Sequence, residues 1–180
     1  MSGIGVARNA VDLDAHAAAS FRMTLRVYWE DTDAGGVVFY ANYLKFFERA
    51  RTEWLRSLGH QQERMRTESG AMFVVTDTSV RYLRPARLDD LLDVTVQVQH
   101  AGRAQMTVAQ QAWRRVSADH VNQSDPADPA DPADRPHVDS HTRTELVAAG
   151  TIRIGCVDAG TFRPARIPTA VFDAIHSLTG

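Results

Sequence analysis

Two aspartates lie where the chain changes from a strand-like pattern to a helical one. Asp31 and Asp33 belong to the stretch DTDAGG, which follows an alternating run and precedes a long amphipathic segment. A carboxylate at such a junction can act as a nucleophile or as a general base. The glycines Gly35 and Gly36 allow the backbone to turn tightly and to approach a ligand. Aspartate before glycine is also common in turns, so the spacing alone favours a structural role.

The segment after the glycines predicts a long helix whose first turn could contribute to chemistry. Its apolar residues recur at helical spacing from Asn42 over about 16 residues, namely Tyr43, Phe46, Phe47, Ala50, Trp54 and Leu58. Gly59 is typical of the left-handed residue that ends a helix. Backbone N–H groups at a helix start lack an intrahelical partner and carry the positive end of the dipole. They are suited to stabilise a negative oxygen that develops during a reaction.

Alternating patterns predict strands on both sides of this helix. Before it, residues 21–30 alternate, with Met23, Leu25, Val27 and Trp29 on the apolar face. After it, strands are predicted over 71–83, 91–100, 104–116 and 144–158, and a short helix in IPTAVFDAIHSLTG. This order predicts the α+β class, with an antiparallel sheet wrapped around one buried helix.

The composition predicts one globular domain over residues 21–180. The chain has 180 residues, of which 44% are hydrophobic, and a net charge of −2 that argues against bulk nucleic-acid binding. Residues 1–20 lack periodicity and predict a mobile arm. The segment 117–143 repeats DPA three times and predicts a disordered insertion. Its histidines allow a metal tract, but a solvated linker is favoured; they are His120, His137 and His141.

Two further features concern the compartment. The single cysteine, Cys156, cannot form an internal disulfide, and it is interpreted as a core residue. No apolar run approaches the roughly 18 residues of a membrane helix, and the N-terminus does not resemble a secretory signal. The sequence therefore predicts a cytoplasmic protein.

A longer motif resembles a known family. YWEDTDAGGVVFYANYLKFFERARTEWL closely resembles the signature of the hotdog-fold acyl-CoA thioesterases, and VRYLRPARLDDLLDV and RPARIP fit the same group. The match is best with the branch associated with the Tol-Pal envelope system, and it is more distant with 4-hydroxybenzoyl-CoA thioesterase. The resemblance implies a hotdog fold, in which a curved antiparallel sheet wraps a long central helix. It also implies a homodimer or homotetramer with active sites at the dimer interface.

The resemblance assigns roles to three residues, and a cluster of arginines near one turn suggests a fourth. Asp33 matches the catalytic aspartate, which acts as a nucleophile that gives a mixed anhydride or as a general base. The backbone N–H of Tyr40 would polarise the thioester carbonyl. Arg103 lies in a hairpin that matches a basic stretch used for coenzyme A, and Arg84 is a second candidate, because arginine pairs well with phosphates. Neither a metal nor a cofactor is implied.

Three positions have alternative interpretations. Asp31 is interpreted as a residue that supports the turn. Many members of the Tol-Pal branch carry histidine at position 40, whereas FYANY is closer to the benzoyl-type WYPNY. Glu48 lies on the long helix, where a related hotdog group has a catalytic glutamate, but an exposed charged face is favoured here.

Alternative functions remain open at this level. A hotdog dehydratase would need a catalytic histidine, and none lies near the motif. A non-catalytic acyl-thioester-binding protein of the cell envelope would not need Asp33. An aromatic thioesterase of the 4-hydroxybenzoyl type is a third possibility, and the acyl group could be carried by coenzyme A or by acyl carrier protein.

Overall fold

The computed structural model describes residues 21–116 and 143–177. The predicted arm over 1–20 and nearly all of the predicted 117–143 insertion lie outside these residues. The elements, in chain order, are β1 (Phe21–Arg26), a 3-10 helix (Trp29–Asp31), α1 (Asn42–Ser57), α2 (Gln62–Ser69), β2 (Ala71–Tyr82), β3 (Leu91–Ala101), β4 (Gln105–Val116), β5 (Arg143–Asp158) and α3 (Thr169–His176).

The five strands form one antiparallel sheet in the order β1-β3-β4-β5-β2. The register shifts once in each of three strand pairs, for example between Val75 and Asp77 where β2 pairs with β5. Such irregularities bend the strands and increase the twist of the sheet. The observed sheet and helices confirm the predicted α+β class.

The helix α1 carries the largest part of the core. Its apolar stripe is buried as predicted, and Phe46, Phe47 and Ala50 have no exposed surface. The helix packs against β1, β3 and β4, whose inward side chains include Val94 and Val108. Burial of this apolar area is the main favourable contribution to folding, so α1 is held firmly against the sheet. The position of its first turn relative to the sheet is therefore fixed.

The helix α1 ends at Gly59, the glycine that the sequence predicts. Gly59 has φ 86°, in the left-handed region that a residue without Cβ adopts at little cost. The N–H of Gly59 donates to the carbonyl of Arg56 at 2.9 Å, and the N–H of His60 donates to that of Leu55 at 3.0 Å. This pair of bonds is the Schellman motif, so the helix stops where the sequence indicates.

Two details differ from the sequence prediction. The first strand stops at Arg26, and Trp29 is 78% exposed instead of lying on the predicted apolar face. The reason is that the chain leaves the sheet for the 3-10 helix directly after Val27, which breaks the alternation. The helix α2 was missed, because its sequence offers one buried apolar residue, Met65, and no amphipathic stripe.

Candidate active site

The aspartate-glycine stretch forms a tight loop that begins at Asp33. The N–H of Asp33 donates to the carbonyl of Val37, and the N–H of Gly36 donates to the carbonyl of Asp33, both at 2.9 Å. Gly36 has φ 71°, a conformation that side-chain-bearing residues rarely adopt. The loop therefore needs the glycine, and its bonds fix the position of the Asp33 backbone.

The Asp33 carboxylate is exposed and only partly engaged. Its Oδ1 accepts a hydrogen bond from the N–H of Gly35 at 2.8 Å. Within residues 21–116 and 143–177, its Oδ2 has no hydrogen-bond partner. A Cβ at position 35 would lie 3.1 Å from Oδ1, so this glycine leaves the space that the carboxylate occupies. One oxygen is oriented by the loop, and the other is available for chemistry.

Asp31 has a different position and a different role. It is 3% exposed, and its Oδ2 accepts a hydrogen bond from the N–H of Tyr28 at 2.9 Å. Its carbonyl accepts the N–H of Phe39 and the side-chain amide of Asn42, each at 2.9 Å. Because Asn42 opens α1, Asp31 connects the loop to the helix start. This geometry agrees with the supporting role predicted for Asp31.

The residues directly before α1 present N–H groups that have no acceptor among residues 21–116 and 143–177. The N–H of Asn42 donates to the carbonyl of Phe39 at 2.8 Å. In the described part of the chain, the N–H groups of Tyr40 and Ala41 find no acceptor. They lie at the positive end of the α1 dipole. Such donors are expected at a helix start.

Tyr40 opens onto a cleft of about 370 Å³ that also contains Arg84. The cleft is lined by Val37, Val38, Tyr40, Tyr43, Tyr82, Leu83, Arg84 and Pro85. Among the described residues, the side chain of Arg84 makes one weak hydrogen bond, in which its Nη1 donates to the carbonyl of Leu146 at 3.3 Å. The structure therefore brings two predicted site residues, Tyr40 and Arg84, to one cleft beside the loop of Asp33.

Aromatic rings form one wall of this cleft. Tyr40 has its ring centroid 4.5 Å from Phe39 and 6.3 Å from Tyr82. Burial raises the pKa of Tyr43 to about 12, so this hydroxyl stays neutral at physiological pH. Tyr82 is not predicted from the sequence, because it follows Tyr40 by some forty positions and no local pattern indicates a contact at that separation.

Arg103 lies elsewhere in the same chain. It belongs to the turn between β3 and β4, where its carbonyl accepts the N–H of Ile167 at 2.8 Å. It lines a separate cleft of about 310 Å³ with Arg166, Phe172 and Asp173. The other end of β3 is next to the Asp33 loop, and eleven strand residues span roughly 35 Å. One chain does not bring Arg103 to Tyr40, so its role remains a prediction.

Glu48 and Cys156 also lie outside the Tyr40 cleft. Glu48 accepts a hydrogen bond from the hydroxyl of Thr52 at 2.7 Å and lines a different cavity, of about 210 Å³. Cys156 is buried, and burial raises the pKa of its thiol, as expected of a core residue. The described residues contain no group of His, Cys, Asp and Glu that could hold a metal ion.

The relatives of this chain identify its family. The acyl-CoA thioesterase YbgC of Haemophilus influenzae is 35% identical over 158 residues, which cover 88% of this chain and 96% of the relative. The chain belongs to the YbgC family of acyl-CoA thioesterases. A model described as Thioesterase superfamily also matches residues 35–118, a range that includes Tyr40 and Arg84. The resemblance found in the sequence is therefore confirmed, and the chain is a member of an enzyme family.

Solved structures of thioesterases share the fold. A 1,4-dihydroxy-2-naphthoyl-CoA thioesterase from Synechocystis superposes with a TM-score of 0.68 and 18% identity, over 89% of this chain and 98% of that one. A Staphylococcus aureus protein solved in complex with CoA gives a TM-score of 0.67 and 14% identity, over 88% and 82% of the two chains. The YbgC-family chain thus has the predicted hotdog fold. None of the helices described is long and apolar enough to cross a membrane.

Proposed function

We propose that this chain hydrolyses the thioester of an acyl-CoA to a free acid and coenzyme A, with Asp33 and the N–H of Tyr40 as the reacting groups. The observation that carries the proposal is the N–H of Tyr40, which has no acceptor in the described part of the chain, in a residue that lines the cleft beside the Asp33 loop. Asp33 itself keeps one carboxylate oxygen unengaged within the same residues.

The two groups divide the reaction between them. The Tyr40 N–H polarises the thioester carbonyl and donates to the oxyanion as the carbon becomes tetrahedral, and one such donor typically contributes about 100- to 1,000-fold in rate. As a nucleophile, Asp33 forms a C–O bond to the acyl carbon while the C–S bond breaks. The coenzyme A thiolate then takes a proton, and water hydrolyses the mixed anhydride. As a general base, Asp33 removes a proton from a water molecule whose oxygen bonds to the acyl carbon. The C–S bond then breaks, and the proton goes to the coenzyme A thiolate.

Thiol release tests the proposed activity directly. The purified protein is incubated with a panel of aliphatic and aromatic acyl-CoAs and with acylated acyl carrier protein, and free thiol is followed over time. Release from at least one acyl-CoA, together with the free acid, is the expected result. Binding without release would instead support a non-catalytic acyl-thioester-binding protein. Formation of an enoyl product without thiol release would support a dehydratase.

An aromatic acyl group is a second candidate because of the ring wall. Tyr40 and Tyr82 are 61% and 47% exposed, so both could stack on a flat acyl group. A thioesterase of the 4-hydroxybenzoyl type would release thiol faster from benzoyl-type substrates than from aliphatic ones of equal size. The opposite order would favour the aliphatic alternative.

The proposed assembly is a homodimer or homotetramer in which β2 pairs with its copy. β2 is an edge strand, and residues 75–79 are exposed. An unpaired edge strand offers its backbone groups to another chain. Phe73 pairs with Cys156, whose N–H donates to the carbonyl of Ala104 at 2.8 Å, so the Arg103 turn lies toward the Phe73 end of β2. Antiparallel pairing would bring Arg103 of the partner subunit toward the Tyr82 end, where Arg84 lies.

Mixed dimers test this arrangement of the coenzyme A site. Arg103→Ala should raise KM for acyl-CoA, and Asp33→Asn should lower kcat. If Arg103 serves the partner's site, a mixture of the two variants regains activity, because one site in each mixed dimer keeps both residues. A mixture no more active than its components would contradict the arrangement, and light scattering would show whether dimers or tetramers are present.

The Tol-Pal association and the cytoplasmic location remain predictions, which co-purification with envelope proteins and cell fractionation would test.

A further inference from the structure

A cavity of about 210 Å³, here called the Arg51 cavity, lies between α1 and the sheet. Three strands line it with apolar side chains, namely Phe73, Val74, Val75, Met106 and Ile154. Among the described residues, it has no lining residue in common with the Tyr40 cleft. Arg51 lies roughly 14 Å along α1 from the first residue of that helix, Asn42. Within one chain, the two spaces are therefore separate.

The side chain of Arg51 crosses the gap between the helix and the sheet. Its Nη1 donates to Oε1 of Gln110 at 2.6 Å, and Gln110 has no exposed surface. Gln110 and Met106 share the inward face of β4, because alternate residues of a strand point to the same side. The Arg51 guanidinium therefore lies between α1 and the inward face of the sheet, where the cavity also lies.

The charge of Arg51 has no carboxylate partner in the described part of the chain. Its Nε and Nη2 make no hydrogen bond there, and the exposed Glu48 accepts its bond from Thr52. Burial lowers the pKa of Arg51, and the charge of Glu48 opposes this effect. Charges removed from water are usually paired in proteins. A partly buried guanidinium bonded to a neutral amide is thus suited to bind an anionic group.

We propose that the Arg51 cavity receives the acyl group of a substrate bound in the partner subunit's site, and that Arg51 binds a carboxylate at the far end of that acyl group. The inference rests on the proposed function and on the proposed pairing of β2 with its copy. The substrate class is then the coenzyme A monothioester of a dicarboxylic acid. Its methylene groups pack on the apolar walls, and its free carboxylate pairs with the guanidinium.

The pairing of β2 explains how the cavity reaches the partner's site. Phe73 and Val75 line the Arg51 cavity, whereas Tyr82 lines the Tyr40 cleft. All three belong to β2, whose residues 75–79 are exposed at the sheet edge. Antiparallel pairing around that segment brings the Phe73 end of one strand beside the Tyr82 end of the other. The Tyr40 cleft of one subunit then adjoins the Arg51 cavity of its partner.

Matched pairs of acyl-CoAs test the preference for a carboxylate. Adipoyl-CoA and hexanoyl-CoA have acyl chains of equal length and differ in the terminal carboxylate, and glutaryl-CoA and pentanoyl-CoA form a second pair. From thiol release, kcat/KM should be at least about tenfold higher for the dicarboxylic member of one pair. Arg51→Met should lower this ratio by about 10- to 100-fold, because bonds to a charged group are lost. The control is Arg49→Met on the exposed face of α1, which should keep the wild-type ratio.

The ratio separates recognition of the carboxylate from a structural role. An equal loss on both members of a pair would make Arg51 structural and would overturn the inference. If Arg51→Met does not fold, Arg51→Gln keeps a hydrogen-bonding group for Gln110 and should lower the ratio in the same way. A wild type that releases no thiol from any acyl-CoA would overturn the proposed function. An active wild type with ratios near one would overturn only the role of Arg51.

Mixed dimers show which site Arg51 serves. Arg51→Met and Asp33→Asn subunits are mixed and assayed with the preferred dicarboxylic substrate. The mixture should be more active than the sum of its components, because one site in each mixed dimer keeps both Asp33 and the partner's Arg51. Activity equal to that sum would show that Arg51 does not serve the partner's site and would overturn the inference.

Discussion

Two carboxylates in this molecule show how differently the fold treats the same group. Asp33 lies exposed in a loop, with one oxygen bonded to the N–H of Gly35 and one without a partner in the described residues. Asp93 lies on β3 and is 2% exposed. Its oxygens accept hydrogen bonds from Arg115 at 2.9 and 2.7 Å and from the hydroxyl of Thr24 at 2.6 Å. A buried carboxylate needs such partners, whereas a reacting one needs an unengaged oxygen.

The comparison extends to proton affinity. Burial by itself would raise the pKa of Asp93, but the hydrogen bonds from Arg115 and Thr24 outweigh it and hold the pKa below its ordinary value. Asp93 is therefore a charged structural group with every oxygen engaged. The two sites predict opposite results for the same substitution, aspartate to asparagine.

The largest expected effect is on activity, at Asp33. Asp33→Asn should lower kcat/KM by about 100- to 10,000-fold, because an amide can neither attack the acyl carbon nor accept a proton from water. The thermal midpoint should stay near wild type, since the side chain is exposed. Thiol release and thermal unfolding measure the two quantities.

The control for Asp33 is Glu30→Gln. Glu30 is an exposed carboxylate close to the same loop, so its loss changes the local charge by the same amount. It should leave turnover within about twofold of wild type. Near-native turnover by Asp33→Asn would remove Asp33 from the mechanism, and trapping of an acyl adduct on Asp33 by rapid quenching would identify it as the nucleophile.

The second effect is on stability, at Asp93. Asp93→Asn should lower the free energy of unfolding by about 2 kcal/mol, because hydrogen bonds to a charged group are lost from a buried site. Turnover per folded molecule should stay close to wild type. Chemical denaturation with an activity assay in native buffer separates the two quantities. An Asp93→Asn variant that is fully stable but inactive would reverse the contrast with Asp33.

The third effect concerns the space around the Asp33 carboxylate. Gly35→Ala places a Cβ 3.1 Å from Asp33 Oδ1, closer than an ordinary contact, so the carboxylate must shift. We expect kcat to fall by about 10-fold, since small displacements of a reacting group are costly. Gly160→Ala is the matched control, because its nearest atom, Asp158 Oδ1, is 3.6 Å away. Equal activity in the two variants would show that the position of the carboxylate tolerates such a shift.

The sequence predicts the framework better than it predicts the contacts within the site. Periodicity places α1 and four of the strands to within a residue or two, because a long apolar stripe has one way to be buried. It extends β1 to residue 30, because the alternation does not show that the chain leaves the sheet after Arg26. It misses α2, because that helix lacks an apolar stripe. The residues Asp33 and Tyr40 follow from a motif.

The distance between Arg103 and the Tyr40 cleft cannot be predicted from the motif. The resemblance assigns Arg103 a role but does not say where Arg103 lies in the folded chain. In one chain, Arg103 and Tyr40 lie at opposite ends of β3. The contact of Tyr82 with Tyr40 is likewise set by the pairing of β2 with β5 and by the packing of α1. Such contacts join residues that are distant in sequence, so they become visible only when the sheet is assembled.

The smallest expected effect is the pH dependence that distinguishes Asp93 from an exposed aspartate. The folded-state pKa of Asp93 is lowered, so the unfolded state, with a pKa of about 3.9, binds its proton first as the pH falls. The stabilisation by Asp93 is therefore complete above about pH 5 and is lost as the pH falls below about 4, through the folded-state pKa. The difference in unfolding free energy between wild type and Asp93→Asn should shrink across that window. If the difference stays constant from pH 7 to pH 3, the charge of Asp93 does not contribute to the stability of the fold.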